Sequence, residues 1–222
     1  MLEKSVIEGN KKRFIDLFKK YVVPNYDNAD KLLEWICNTD FFISPASTRY
    51  HLCVEGGLCQ HTLNVYDRLV KVLKDEYGND YNKALGINDA SIVLVALCHD
   101  LCKCECYEKD YRNKKQYSDK GSKRDEKGNF DWVVEEYWVK NEKFVFGHGA
   151  KSVFIVQNFI TTPLSLDEAS AIRYHMGGHE WGNPNLTESD PLTVFNDYPL
   201  AFYLHIADME ATYIDERETS EC

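Results

Sequence analysis

Apolar residues recur every three or four positions through most of this chain, which is the spacing of amphipathic helices. Residues 3–21 carry Val6, Ile7, Phe14, Ile15, Leu17 and Phe18 on one stripe, and Pro24 stops that helix. Residues 30–37 predict a short helix with Leu32, Leu33 and Ile36 inward, after a capping region at Asn28 and Asp30. Residues 41–51 are too broken by Ser and Pro for regular structure, and Gly56-Gly57 marks entry to the next helix. That helix, residues 58–77, holds a wide stripe from Leu63 to Leu73 and is closed by Gly78-Asn79-Asp80. Residues 89–103 open with an acid at the cap and are almost wholly apolar through Cys98. A helix apolar on every side is a core helix, so His99 and Asp100 arrive at its buried end. A carboxylate there is costly without a cation.

The period changes after Lys103. Residues 132–139, rich in β-branched and aromatic side chains, and residues 144–146 predict a small β-ribbon inserted at about 105–146. Helical spacing then returns over 150–159, opened by Gly147-His148-Gly149, over 166–176, ended by Gly177-Gly178, and over 199–214. Residues 216–222 read as a frayed acidic tail.

At 222 residues and 44% hydrophobic content, the chain is expected to form one domain, with residues 1–48 as a helical extension and 104–146 as the insertion. The longest apolar run, residues 92–98, is too short to span a bilayer, and residues 1–8 lack a signal-peptide core, so a cytoplasmic protein is expected. Eight cysteines in that setting are expected as thiols, and the run Cys98, Cys102, Cys104, Cys106 lacks the paired spacing of a structural zinc site. The formal charge of −10 excludes nonspecific coating of nucleic acid. Residues 108–128 depart from it with eight Lys/Arg against five acids, and are read as a solvated loop in preference to a lip for an anionic substrate.

Neutral imidazoles beside hard carboxylates suit a divalent cation that must stay reactive, and His99-Asp100 offers both, with His61, His148, His175 and Asp208 as further ligands. His51, His179 and His205 have the simpler reading of ordinary hydrogen-bonded histidines, and the two glycines between His175 and His179 break an i, i+4 zinc pair. Arg49, His51 and Arg173 are the candidate contacts for an anionic substrate, and Tyr50, Tyr107 and Trp181 are the candidates for stacking on a base.

Five segments occur in order: Gly57-Leu-Cys-Gln-His61-Thr, Leu97-Cys-His99-Asp100-Leu-Cys-Lys103, Gly147-His148-Gly149, Arg173-Tyr-His175-Met-Gly177 and His205-Ile-Ala-Asp208. From about residue 50 to 213 this H…HD…H…H…D succession resembles the HD-domain superfamily of metal-dependent phosphohydrolases. The resemblance implies an all-α helical bundle holding one or two divalent ions, drawn from Mn, Fe, Ni, Mg and Zn. It implies His61, His99, Asp100 and Asp208 as ligands of a first metal. His148 and His175 would hold a second, with Asp100 bridging and acting in catalysis beside Lys103. The expected reaction is hydrolysis of a phosphoester in a small phosphorylated compound, a nucleotide or a short oligonucleotide. A di-iron oxygenase and a non-catalytic nucleotide-sensing module share the ligand pattern and stay open as alternatives, as does the oligomeric state.

Overall fold

The computed structural model describes residues 2–144, 146–177 and 191–217. It is mostly helical, with one small antiparallel sheet. The helices are α1 (Lys4–Leu17), α2 (Ala29–Asn38), α3 (Gly57–Tyr77), α4 (Tyr81–Leu85), α5 (Asp89–Cys98), α6 (His148–Phe159), α7 (Leu166–Tyr174), α8 (Pro191–Asp197) and α9 (Pro199–Glu210). Strands β1 (Tyr107–Tyr117), β2 (Lys123–Asp125) and β3 (Gly128–Lys140) lie between α5 and α6 in the order β1-β3-β2. Among the described residues no single helix is long and apolar enough to cross a membrane.

Helix α5 is the axis of the bundle. Asn88 caps it by accepting a hydrogen bond from the Ser91 N–H, and every residue from Ala90 to Cys98 is buried. Around it pack α3, α7 and the aromatic cluster Phe14, Phe18, Phe41 and Phe42, which ties residues 1–48 into the same hydrophobic core, and α9 packs on α3 and α7. Helix α7 starts with a reciprocal cap in which the Ser165 and Glu168 side chains satisfy each other's backbone N–H.

Several expectations need correction. Helix α5 does not run to Lys103: it ends at Cys98 with His99 as its cap, Asp100 leaves helical geometry at ψ 17°, and Leu101–Lys103 form a 3₁₀ turn. The tighter turn swings His99 and Asp100 toward one cavity. Residues 132–139 do lie in a strand, but its partner is β1, in register from Tyr107↔Lys140 to Tyr117↔Phe130, while Phe144 and Phe146 lie outside the strands and pack on Phe154. The charges of β1 suggested a loop, but they are satisfied across the ladder, with Arg112 and Lys114 on Glu135 and Lys109 on Glu136. Finally, Glu216 is buried, seated by a π-helical turn, Ala211–Asp215, that Arg68 clamps through Asp215 and Glu210.

Among the described residues six cysteines are free, at 37, 59, 98, 102, 104 and 106, whereas Cys53 is disulfide-bonded. The all-thiol expectation therefore fails at Cys53, which is half-buried, while five of the six free thiols are buried.

Candidate metal centre

Three buried histidines are turned the same way by three different anchors. His99 Nδ1 lies 2.8 Å from the Ala96 carbonyl, one turn back on α5, and His175 Nδ1 lies 2.7 Å from the Ile172 carbonyl of α7. A carbonyl oxygen only accepts, so Nδ1 carries the proton in both rings and each Nε2 turns a lone pair inward. His61, on α3, places Nδ1 3.1 Å from both carboxylate oxygens of Glu216 and Nε2 3.1 Å from Asp208 Oδ1. Orienting a ligand ring through its far nitrogen is the usual outer support of a metal site.

The ring nitrogens converge on Asp100. Its Oδ1 faces His148 Nε2 at 2.9 Å and His175 Nε2 at 3.6 Å, and its Oδ2 faces His99 Nε2 at 3.4 Å and His61 Nε2 at 3.6 Å. His99 Nε2 and His175 Nε2 are buried with no hydrogen-bond partner among the described residues. Lone pairs facing one another at this range repel unless a cation sits among them. Donors about 2.0–2.2 Å from one cation lie roughly 3.0–3.6 Å from each other, so the spacing fits a metal. The donor atoms form the sets His61–His99–Asp208, His99–Asp100–His175 and Asp100–Cys102–His148, each with all its atoms within 4.8 Å.

Charge balance points the same way. Burial opposes ionisation of Asp100, but the Lys103 ammonium, 2.7 Å from Oδ2, and the neighbouring imidazoles hold it well below the usual carboxylate range. Asp208 is held down against burial by His61, and Glu216 likewise. Burial pushes His99 down and His148 to about 4, so both rings are neutral near pH 7. Burial also acts to lower His61, but the Glu216 charge and the Asp208 and Glu216 hydrogen bonds outweigh it and lift the ring to about 10. Three buried carboxylates against the Lys103 ammonium and the His61 imidazolium leave a negative pocket that a divalent cation neutralises, displacing the His61 Nε2 proton.

Two glycines let the elements close in. A Cβ on Gly149 would lie 2.1 Å from the Arg173 carbonyl, so only glycine lets the start of α6 bring His148 beside His175, with ring centroids 5.1 Å apart. A Cβ on Gly57 would lie 2.0 Å from the Leu52 carbonyl, so only glycine packs the start of α3 against residues 47–52. In that segment Ser47 Oγ accepts the N–H groups of Arg49, Tyr50 and His51, and this turn fixes His51.

The centre opens into a cavity of about 410 Å³ whose walls include His51, Lys103, Tyr50, Tyr107 and His205. His51 stands 4.8 Å, ring to ring, from His61, and burial pushes it to about 4, so it is neutral near pH 7. His205 Nδ1 donates to the His175 carbonyl at 2.6 Å and acts as an ordinary hydrogen-bonded histidine. Arg173 does not line this cavity: two residues before His175 on α7, it points the opposite way, into a groove with Phe146 and Phe154. Arg49 is exposed and lines a separate, adjoining groove. His179, Trp181 and Gly178 lie outside the described residues.

Two members of the site escaped the sequence reading. Cys102 Sγ lies 3.2 Å from His148 Nδ1, and burial keeps its thiol protonated. Glu216 sat in what looked like a frayed tail. The clustered cysteines and the acids following the Asp208 helix were the only signals, and neither is specific. Comparisons of the chain with family models, with curated proteins and with solved structures find no match.

Proposed function

We propose that this chain is a metal-dependent phosphohydrolase of the HD-domain type, holding two divalent ions on either side of Asp100. The observation that carries this reading is the division of the imidazoles between the two carboxylate oxygens, His148 and His175 on Oδ1 and His61 and His99 on Oδ2, with Asp208 joining the second set. One oxygen for each set is what a bridging carboxylate supplies.

A bound metal pair lowers the pKa of a water to give hydroxide at neutral pH and neutralises charge on an attacked phosphoryl group. The protein's own groups do the rest. Asp100 stays ionised through Lys103, and the Ala96, Ile172 and Glu216 acceptors keep the rings from rotating away. His51 and Lys103 face the substrate side of the cavity, whose size falls in the range of small-ligand sites. The reaction forms one P–O bond from water and breaks one P–O bond to the leaving group, which takes up the proton.

The test is release of phosphate or nucleoside from a panel of mononucleotides, cyclic nucleotides and short oligonucleotides, with manganese-loaded wild type beside Asp100→Ala. Turnover confined to wild type supports the reading. No turnover on any member with metal bound would overturn it, and oxygen uptake by iron-loaded protein would assign the same ligands to an oxygenase instead.

A further inference from the structure

Strand β1 ends the sheet: in the order β1-β3-β2 it has a strand on one side alone among the described residues. Hydrogen bonds from the Ser118 N–H to the Asn129 carbonyl and from the Asn141 N–H to the Cys106 carbonyl lie at the two ends of its ladder with β3. Even-numbered residues of β1 therefore bond to β3, and odd-numbered ones turn N–H and C=O outward. That open edge faces away from the helices. The groove against residues 48–55 is lined by all of residues 135–140 of β3 but only by Lys109 and Arg112 of β1, whose side chains reach across to Glu136 and Glu135. Every residue from Glu108 to Lys114 is exposed, and an open edge of this length is a template for another strand. We propose that this edge binds a second copy of the chain, β1 against β1, antiparallel about a two-fold axis at Tyr111.

The charges of β1 name that partner. On the sheet face that its even-numbered residues share, the first half of the strand carries Glu108 and Asp110 and the second half Arg112 and Lys114. The two cations share one carboxylate, Glu135, which Arg112 reaches through Nε. Glu108 accepts from the Asn141 amide, and Asp110 from the Tyr111 N–H and the Tyr137 hydroxyl. Neither carboxylate has a cation within ion-pair distance among the described residues. Each half lacks what the other holds in excess.

A two-fold axis at Tyr111 sets Asp110 of each copy opposite Arg112 of the other, and Glu108 opposite Lys114. These fall at the positions that exchange no hydrogen bonds across the new pair, where facing side chains stand closest. Moving the axis by one residue sets Asp110 on Asp110 or Arg112 on Arg112, and moving it by two sets Glu108 on Asp110 or Arg112 on Lys114. Like charges directly opposite are destabilising, so charge selects one register. The outward Tyr111 N–H, with no strand to meet, bonds the Asp110 carboxylate at 2.8 Å. Pairing gives it the Tyr111 carbonyl of the other copy instead and releases Asp110 for Arg112. It also sets the two Tyr111 rings, each 65% exposed, side by side. An edge that pairs with its own copy is used up, so association stops at two.

Sedimentation velocity tests this on the full chain between about 5 and 200 µM, the range in which a small, transient interface associates. Wild type is expected to pass from monomer to dimer. Asn113→Pro removes an outward N–H that β3 does not use, and Asp110→Arg and Arg112→Asp each set like charges opposite one another. Each of the three is expected to weaken association by about tenfold or more, with circular dichroism like that of wild type showing that the variants fold. Mixing Asp110→Arg chains with Arg112→Asp chains restores opposite charges at both positions, and the mixture is expected to dimerise like wild type. Wild type that stays monomeric throughout or grows beyond a dimer would overturn the proposal. So would substituted chains that associate as wild type does, or a mixture that stays monomeric.

Discussion

The end of α5 and the β1–β3 hairpin that follows it both bring opposite charges within hydrogen-bonding distance, yet the two regions put them to different use. In the hairpin, Lys109–Glu136 and Arg112–Glu135 meet at 2.8 Å on an exposed surface, where water and salt screen them and each adds little to stability. At the end of α5, Lys103 and Asp100 meet at 2.7 Å with the carboxylate 2% exposed, where each charge needs its partner and the surplus negative charge needs a cation. The hairpin's pairs satisfy a ladder. The buried set has more lone pairs than protons to fill them.

That contrast ranks the expected effects of mutation. Asp100→Ala removes the carboxylate both imidazole pairs face, and metal binding should fall by more than about 100-fold, beyond the loss typical of an outer-shell change. Isothermal titration with manganese or zinc measures it, and near-wild-type affinity would show that Asp100 is no ligand. Saturating metal should stabilise the wild type by about 4 kcal/mol at a thousand times its dissociation constant, read as a rise in Tm that chelator reverses. Glu216→Gln keeps the shape but loses the charge behind His61, and should weaken metal by about 10–100-fold. An unchanged affinity would return Glu216 to a purely structural role. Glu135→Ala, on the hairpin, should leave both Tm and metal affinity close to wild type.

The pH dependence of metal-free protein sharpens the same comparison. His51 and His148 both lie near 4, below the ordinary histidine value of 6.5. Their neutral forms are favoured in the folded state, so the stability they contribute is present above pH 6.5 and is lost as pH falls toward 4. His61, lifted to about 10, works in the opposite sense: its contribution is full below pH 6.5 and fades as pH rises to 10. The hairpin carboxylates Glu135 and Glu136 lie below their ordinary value and give way only in more acidic solution. Thermal melts in chelator from pH 4 to 9 should show a fall on the acid side that His148→Ala reduces. A flat profile would mean these rings are not buried neutral.

How much of this was legible depended on whether a residue acts through its own helix. His61, His99, Asp100, His148, His175 and Asp208 announced themselves as polar groups at helix starts, ends or apolar faces, and the fold brings all six together. The break in α5 was hidden, because nothing in Leu97-Cys-His-Asp forbids another helical turn, and tertiary packing decides it. Arg173 was misplaced because nearness in sequence to His175 was read as nearness in space, against the helical rotation between i and i+2. Glu216 depends on the Arg68 clamp that seats its turn, a long-range contact with no local signature. Strand β1 looked like a loop because its stabilising partners are charges on another strand.

The central claim is a dinuclear centre divided by Asp100, and metal content tests it most directly. Elemental mass spectrometry of wild type and His148→Ala, each loaded and desalted together, should give two divalent ions per wild-type chain and one in the variant, with the His61–His99–Asp208 set still filled. Loaded wild-type protein that retains one divalent ion or none would contradict it.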